Sequence, residues 1–110
     1  MLAAPLFGER RLAFCRVREG AQDDFEAWAA AALGGKAVAI RARDGLDAGL
    51  LGPGKPHTRL AERLGSHVLL MEPGWTIVDH VEGEHAHTMI GVHGGLTADE
   101  MLVPLIVART

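Results

Sequence analysis

"RLAFCRVREGAQDDFEAWAAAALGGKAVAIRAR", from Arg11 to Arg43, decides the fold. Its opening residues, Arg11 to Arg18, alternate loosely and include Phe14 and Val17, which is the pattern of a strand. Gly20 breaks that pattern. Asp23 and Asp24 then start a segment in which Phe25, Trp28, Ala29, Ala32 and Leu33 recur at helical spacing, and Gly34-Gly35 stop it. "AVAIRAR" reads as a second strand. Strand, helix and strand in this order predict a parallel pair joined by a crossover helix.

Downstream, Asp44 is placed to cap a short helix reaching Leu50, and "LGPGKPH" is too rich in glycine and proline for any regular element. His57 to Leu64 fits a helix of about two turns that Gly65 closes. "HVLLM" and "WTIV" flank the turn signal Glu72-Pro73-Gly74 and predict a hairpin. Thr97 to Glu100 has the S/T-x-x-E spacing of a capping box, and Pro104 limits that helix to a short one. "LVPLIVA" then predicts a last strand with Pro104 near its start or at an edge. The expected class is α/β: a small mixed sheet with a strand–helix–strand unit, a hairpin and a C-terminal strand.

A length of 110 residues allows one domain at most, and 48% hydrophobic residues suffice for a modest core. Aromatic residues make up only 5%, so that core must rest on Leu, Val, Ile and Ala. A net charge of −3 without a basic stripe argues against duplex nucleic acid as a partner. Cys15 is the sole cysteine, which excludes an internal disulfide and suits a thiol packed as a small hydrophobe. The N-terminal apolar stretch is too short for a signal peptide and no segment approaches a membrane span, so a cytoplasmic location without membrane contact is expected.

Fourteen of the nineteen glycines and prolines follow Asp44, so loops, where sites concentrate, dominate the second half. Four of the six histidines, His80, His85, His87 and His93, lie there beside Asp79, Glu82 and Glu84. Imidazole and carboxylate together suit zinc, iron or manganese. The alternation in "EHAH" would send His85 and His87 to opposite faces of an extended chain, which suits a solvated loop better than joint chelation. His93 differs from these. It ends the apolar run "MIGV", Gly94-Gly95 allow a sharp turn behind it, and a helix N-terminus follows.

Other constellations are weak. Ser66 is the only serine, lacks a G-x-S-x-G setting, and at a strand start its side chain should diverge from that of His67. "GPGKPHT" lacks the phosphate-loop spacing, and Pro53 and Pro56 remove amides such a cradle needs.

"GVHGGLTADEMLVPLIVA" resembles the closing segment of the nucleotide pyrophosphatase/phosphodiesterase-like branch of the alkaline phosphatase superfamily, and "GLLGPGKPHTRLAERLG" with "HVLLMEPG" is similar to the segment before it. The likeness spans roughly Gly45 to Ala108. It implies metal-dependent hydrolysis of phosphate esters or nucleotide-like substrates, with two ions, commonly zinc, clamping the phosphoryl group. It also implies that the motif's histidine, here His93, is a metal ligand. The family's early nucleophile and Asp-x-x-x-His pair have no counterpart in this sequence. Its Asp-His-Gly turn has only Asp79-His80 in "VDHV", where Val81 replaces the glycine.

Residues 1–110 are therefore expected to form a single domain or the C-terminal portion of a phosphodiesterase-like one, inactive alone. Exposed apolar surface would favour a homo-oligomer or another association. Two further readings stand beside this: a non-catalytic oligomerising scaffold, and a small metalloprotein built on Asp79, His80 and His93.

Overall fold

The computed structural model describes residues 1–85 and 88–109. The chain is an α/β protein whose four-stranded sheet is antiparallel throughout. In chain order it runs β1 (Phe7–Glu9), β2 (Leu12–Cys15), α1 (Gln22–Ala32), β3 (Ala37–Arg41), α2 (Ala42–Asp47), α3 (Leu60–Leu64), β4 (His67–Met71) and α4 (Ala98–Met101).

Strand β4 takes the centre, giving the spatial order β1-β2-β4-β3. Leu12 lies opposite Leu70, and Val38 lies opposite the same Leu70 on the other side. Strands β2 and β3 therefore run parallel to each other but do not pair, because β4 is inserted between them. The expected parallel pair is in fact a split one. An almost continuous apolar sequence, "HVLLM", suits this place, since a central strand is buried on both faces.

The alternation of side chains sorts the core into two halves. Ala13, Cys15, Leu69 and Met71 meet Phe25 of α1 on one face of the sheet. Leu12 and Val68 meet Ala42 and Leu64, from α2 and α3, on the other. Helix α1 therefore presents Phe25 and Ala29 inward, as its spacing predicted, while Trp28 remains partly exposed.

Two predicted elements are absent among the described residues. "WTIV" does not form a hairpin with β4, because β2 and β3 already occupy both flanks of that strand. After the turn closed by Trp75 N–H on Glu72 C=O, the chain passes alongside β1, where Ile77 N–H donates to Arg10 C=O at 2.9 Å. The hairpin of this sheet is instead β1–β2. "LVPLIVA" does not pair either. It leaves α4 as an extended segment whose Leu102, Val103, Leu105, Ile106 and Val107 are between 78% and 91% exposed.

Candidate functional site

The segment between His93 and α4 is fastened to the sheet by one buried arginine. Arg11 directly precedes β2, and its side chain is only 6% exposed. Its Nε donates to Glu100 Oε1 at 2.8 Å and its Nη2 to Oε2 at 2.9 Å, a bidentate pairing that matches the planar fork to the carboxylate. Nη1 donates to the Glu72 carbonyl at 2.7 Å and also to that of Trp75. One side chain thus ties α4 to the turn after β4.

Glu100 completes the clasp. Its carboxylate accepts the Thr97 hydroxyl at 2.7 Å, the Thr97 amide at 3.4 Å and the Gly95 amide at 3.2 Å. The reach of Glu100 back to Thr97 is the capping interaction that the spacing predicted. The two glycines have separate reasons. Gly94 takes φ +90° and lies so close to β1 that a Cβ there would be 2.9 Å from Glu9 Cβ. Gly95 leaves the space that the Glu100 carboxylate occupies, which any side chain would invade.

The Arg11 hydrogen bonds hold the Glu100 carboxyl down at about 2, and the Thr97 hydroxyl adds to the effect. A carboxyl held below its ordinary 4.5 in the folded chain stabilises fully above that pH, and the contribution disappears as the pH falls toward 2. Acid titration should therefore free the α4 segment across that interval. Proteolysis at Leu102 should accelerate there, and Glu100→Gln should remove the dependence by being susceptible at every pH.

His93 stands exposed in the irregular segment before α4, which forms no hydrogen-bonded turn there, and its imidazole makes no hydrogen bond among the described residues. Asp79 is already engaged: Oδ2 accepts the Leu6 amide at 2.8 Å and Oδ1 the His80 amide at 2.9 Å, which holds the N-terminal segment beside the loop after Ile77. His80 and His85 are exposed, and His87 lies outside the described residues. Among the described residues no three His, Cys, Asp or Glu side chains gather to hold an ion. The donors present fit one histidine ligand and not a metal centre.

Ser66 and His67 do not diverge as expected; they meet. Ser66 precedes β4 by one residue, and its Oγ is drawn into the sheet plane, where it accepts the Val17 amide at 2.9 Å and donates to Cys15 C=O at 3.2 Å. His67 Nδ1 approaches that oxygen at 3.1 Å, and its Nε2 meets Glu26 Oε1 at 3.0 Å. Glu26 in turn accepts Arg41 Nε at 2.6 Å, and this bond leads the causes that lower its carboxyl. Serine, histidine and glutamate are therefore connected, yet His67 is 1% exposed and lies under the Phe25 ring. The hydroxyl is held by backbone. The chemistry of this trio is a clasp between α1 and β4 rather than an attack on substrate.

Cys15 is fully buried, and desolvation followed by the Asp79 charge pushes its thiol up to about 11. It packs as the small hydrophobe expected and is no thiolate nucleophile. Among the described residues no helix is long and apolar enough to cross a membrane. The sequence matches no protein-family model, no curated protein and no solved structure.

Proposed function

We propose that this chain is the histidine-bearing C-terminal portion of a metal-dependent phosphoesterase of the phosphodiesterase/nucleotide pyrophosphatase kind, inactive alone. The carrying observation is the presentation of His93. A buried guanidinium, a capping carboxylate and two glycines of distinct necessity fix the backbone next to one exposed imidazole. A fixed backbone beside the ligand is part of what a metal site requires. The motif's resemblance to the closing segment of those hydrolases supplies the identity of the reaction. Phosphoryl transfer there relies on positive charge at the attacking and leaving oxygens, with zinc as the expected ion. The remaining ligands and the hydroxyl nucleophile would come from polypeptide other than this chain.

A self-sufficient metalloprotein on Asp79, His80 and His93 is less well supported, because the Asp79 carboxylate is committed to two amides. Self-association is a further part of the proposal, since the segment after α4 leaves five apolar side chains in water.

Zinc titration followed by imidazole NMR, with metal analysis and hydrolysis of a chromogenic phosphodiester, tests the reading. The His93 resonances should move with weak zinc affinity, the shifts should vanish in His93→Ala, and neither stoichiometric metal nor hydrolysis should be found. Stoichiometric metal with activity lost in His93→Ala would overturn the proposal in favour of a complete enzyme. A His93 ring indifferent to zinc would overturn its role as a ligand.

A further inference from the structure

We infer that Leu102–Val107 of one copy of this chain adds as an extra strand to the open edge of β3 in a second copy. The inference deepens the self-association just proposed and does not depend on hydrolase chemistry.

The donor segment is defined by its pattern. "LVPLIV" is apolar at every position, so an extended conformation places Leu102, Pro104 and Ile106 on one face and Val103, Leu105 and Val107 on the other. A strand of that kind needs cover on both sides. Pro104 lacks an amide, which restricts the segment to an edge where that position faces outward. Its projection also expands the chain: the radius of gyration is 16.0 Å, against about 13 Å for a compact chain of this length.

The receiving slot is the outer side of β3, an edge of the sheet. Lys36 C=O accepts the Glu72 amide and Ala42 N–H donates to Ser66 C=O, so the even-numbered positions bond toward β4. Antiparallel alternation then turns both the N–H and C=O of Ala39 and the N–H of Arg41 toward open space, while the Arg41 C=O, at the N-cap of α2, begins that helix. An unpaired row of this kind is a template for a further strand. A cavity of about 510 Å³ follows this edge, lined by Glu26 of α1, by Ala39 and Ile40, and by Gly45, Ala48 and Leu50 on the α2 side. The slot is therefore walled from both faces of the sheet, as a strand apolar on both sides requires.

Geometry selects a second copy over the chain's own tail. Helix α4 is fixed to Arg11 at the start of β2, and the slot lies beyond both β4 and β3. That is three strand spacings, about 14 Å, which uses roughly four extended residues before any pairing can begin. The segment from Leu102 to Val107 is too short to cross and then pair within one molecule. Exchange between two copies has no such limit, and reciprocal exchange closes as a two-fold dimer.

Light scattering on the purified chain at micromolar concentration should give twice the monomer mass, and deletion after Met101 should halve it with the far-UV circular dichroism of the sheet retained. In amide hydrogen exchange, the deletion should remove protection at Ala39 and Arg41 while leaving Val38 and Ile40 protected. A monomeric full-length chain overturns the inference. So does a dimer that survives the deletion, or one in which the Ala39 and Arg41 amides exchange as they do in the shortened chain. The zinc response of His93 is measured separately, so failure of one reading leaves the other distinguishable.

Discussion

Arg11→Ala is expected to lower the unfolding free energy by about 3 kcal/mol, because it breaks a buried pair from one side only. The loss leaves the Glu100 carboxylate and the Glu72 and Trp75 carbonyls without the donors they now share. Urea unfolding should show the midpoint falling with little change in slope. The effect should also be local before it is global: α4 and the segment at His93 should become protease-sensitive under conditions where the sheet remains folded. Arg11→Lys should recover only part of this, since an ammonium cannot offer the planar fork that the carboxylate accepts. A midpoint equal to that of the unaltered chain would show that the clasp contributes nothing.

Phe25→Ala is expected to cost about 3–5 kcal/mol, the range for emptying a fully buried aromatic site. Phe25 is 2% exposed, the largest side chain beneath the α1 face of the sheet, and its ring covers His67 at a centroid distance of 5.0 Å. Its loss removes apolar contact and opens the clasp of His67, Glu26 and Ser66 to water. The gap would open in a cluster that also holds Ala13, Cys15, Ala37, Leu69 and Met71, whose strand-borne side chains are fixed by the sheet. Domains of this size have a total stability of about 5–15 kcal/mol, so the variant should be largely unfolded at body temperature if it lies at the lower end. Thermal unfolding by circular dichroism measures this, and Phe25→Leu should recover most of the loss by refilling the volume.

Helix α1 was legible because its signals are local: Asp23 and Asp24 at the start, apolar residues at helical spacing, and Gly34-Gly35 at the end. The strands were legible as strands for the same reason. Their partners were not. Periodicity in "HVLLM" announces two buried faces but says nothing about Leu12 on one side and Val38 on the other. The turn signal at Glu72-Pro73-Gly74 was real, yet the edge that a hairpin needs was already taken. "LVPLIVA" has the composition of a strand, and pairing depends on an edge within reach, which composition does not record.

The site divides in the same way. The exposed histidine, the paired glycines and the reach of Glu100 to Thr97 could be read from spacing. Arg11 could not, since it lies 89 positions away from Glu100 and looks in the sequence like one arginine of an Arg10-Arg11 surface pair. The meeting of Ser66 with His67 was missed because strand alternation was applied to a residue just outside the strand. Its hydroxyl follows the backbone groups of Cys15 and Val17 instead.

The central place of β4 governs the order in which this molecule can form. Ribosomal synthesis delivers β1, β2, α1 and β3 well before His67–Met71 emerges, so the nascent chain holds the β1–β2 hairpin and β3 around an empty middle. Strand β2 can pair with β1 at once, but its other edge and all of β3 must wait for β4, and closing such loops is entropically slow. Until then the apolar faces of Ala13, Cys15 and Phe25 have no sheet to complete them. Completion of the sheet is thus tied to the emergence of β4, and the interval before it is the stage at which this protein is most exposed to wrong pairing.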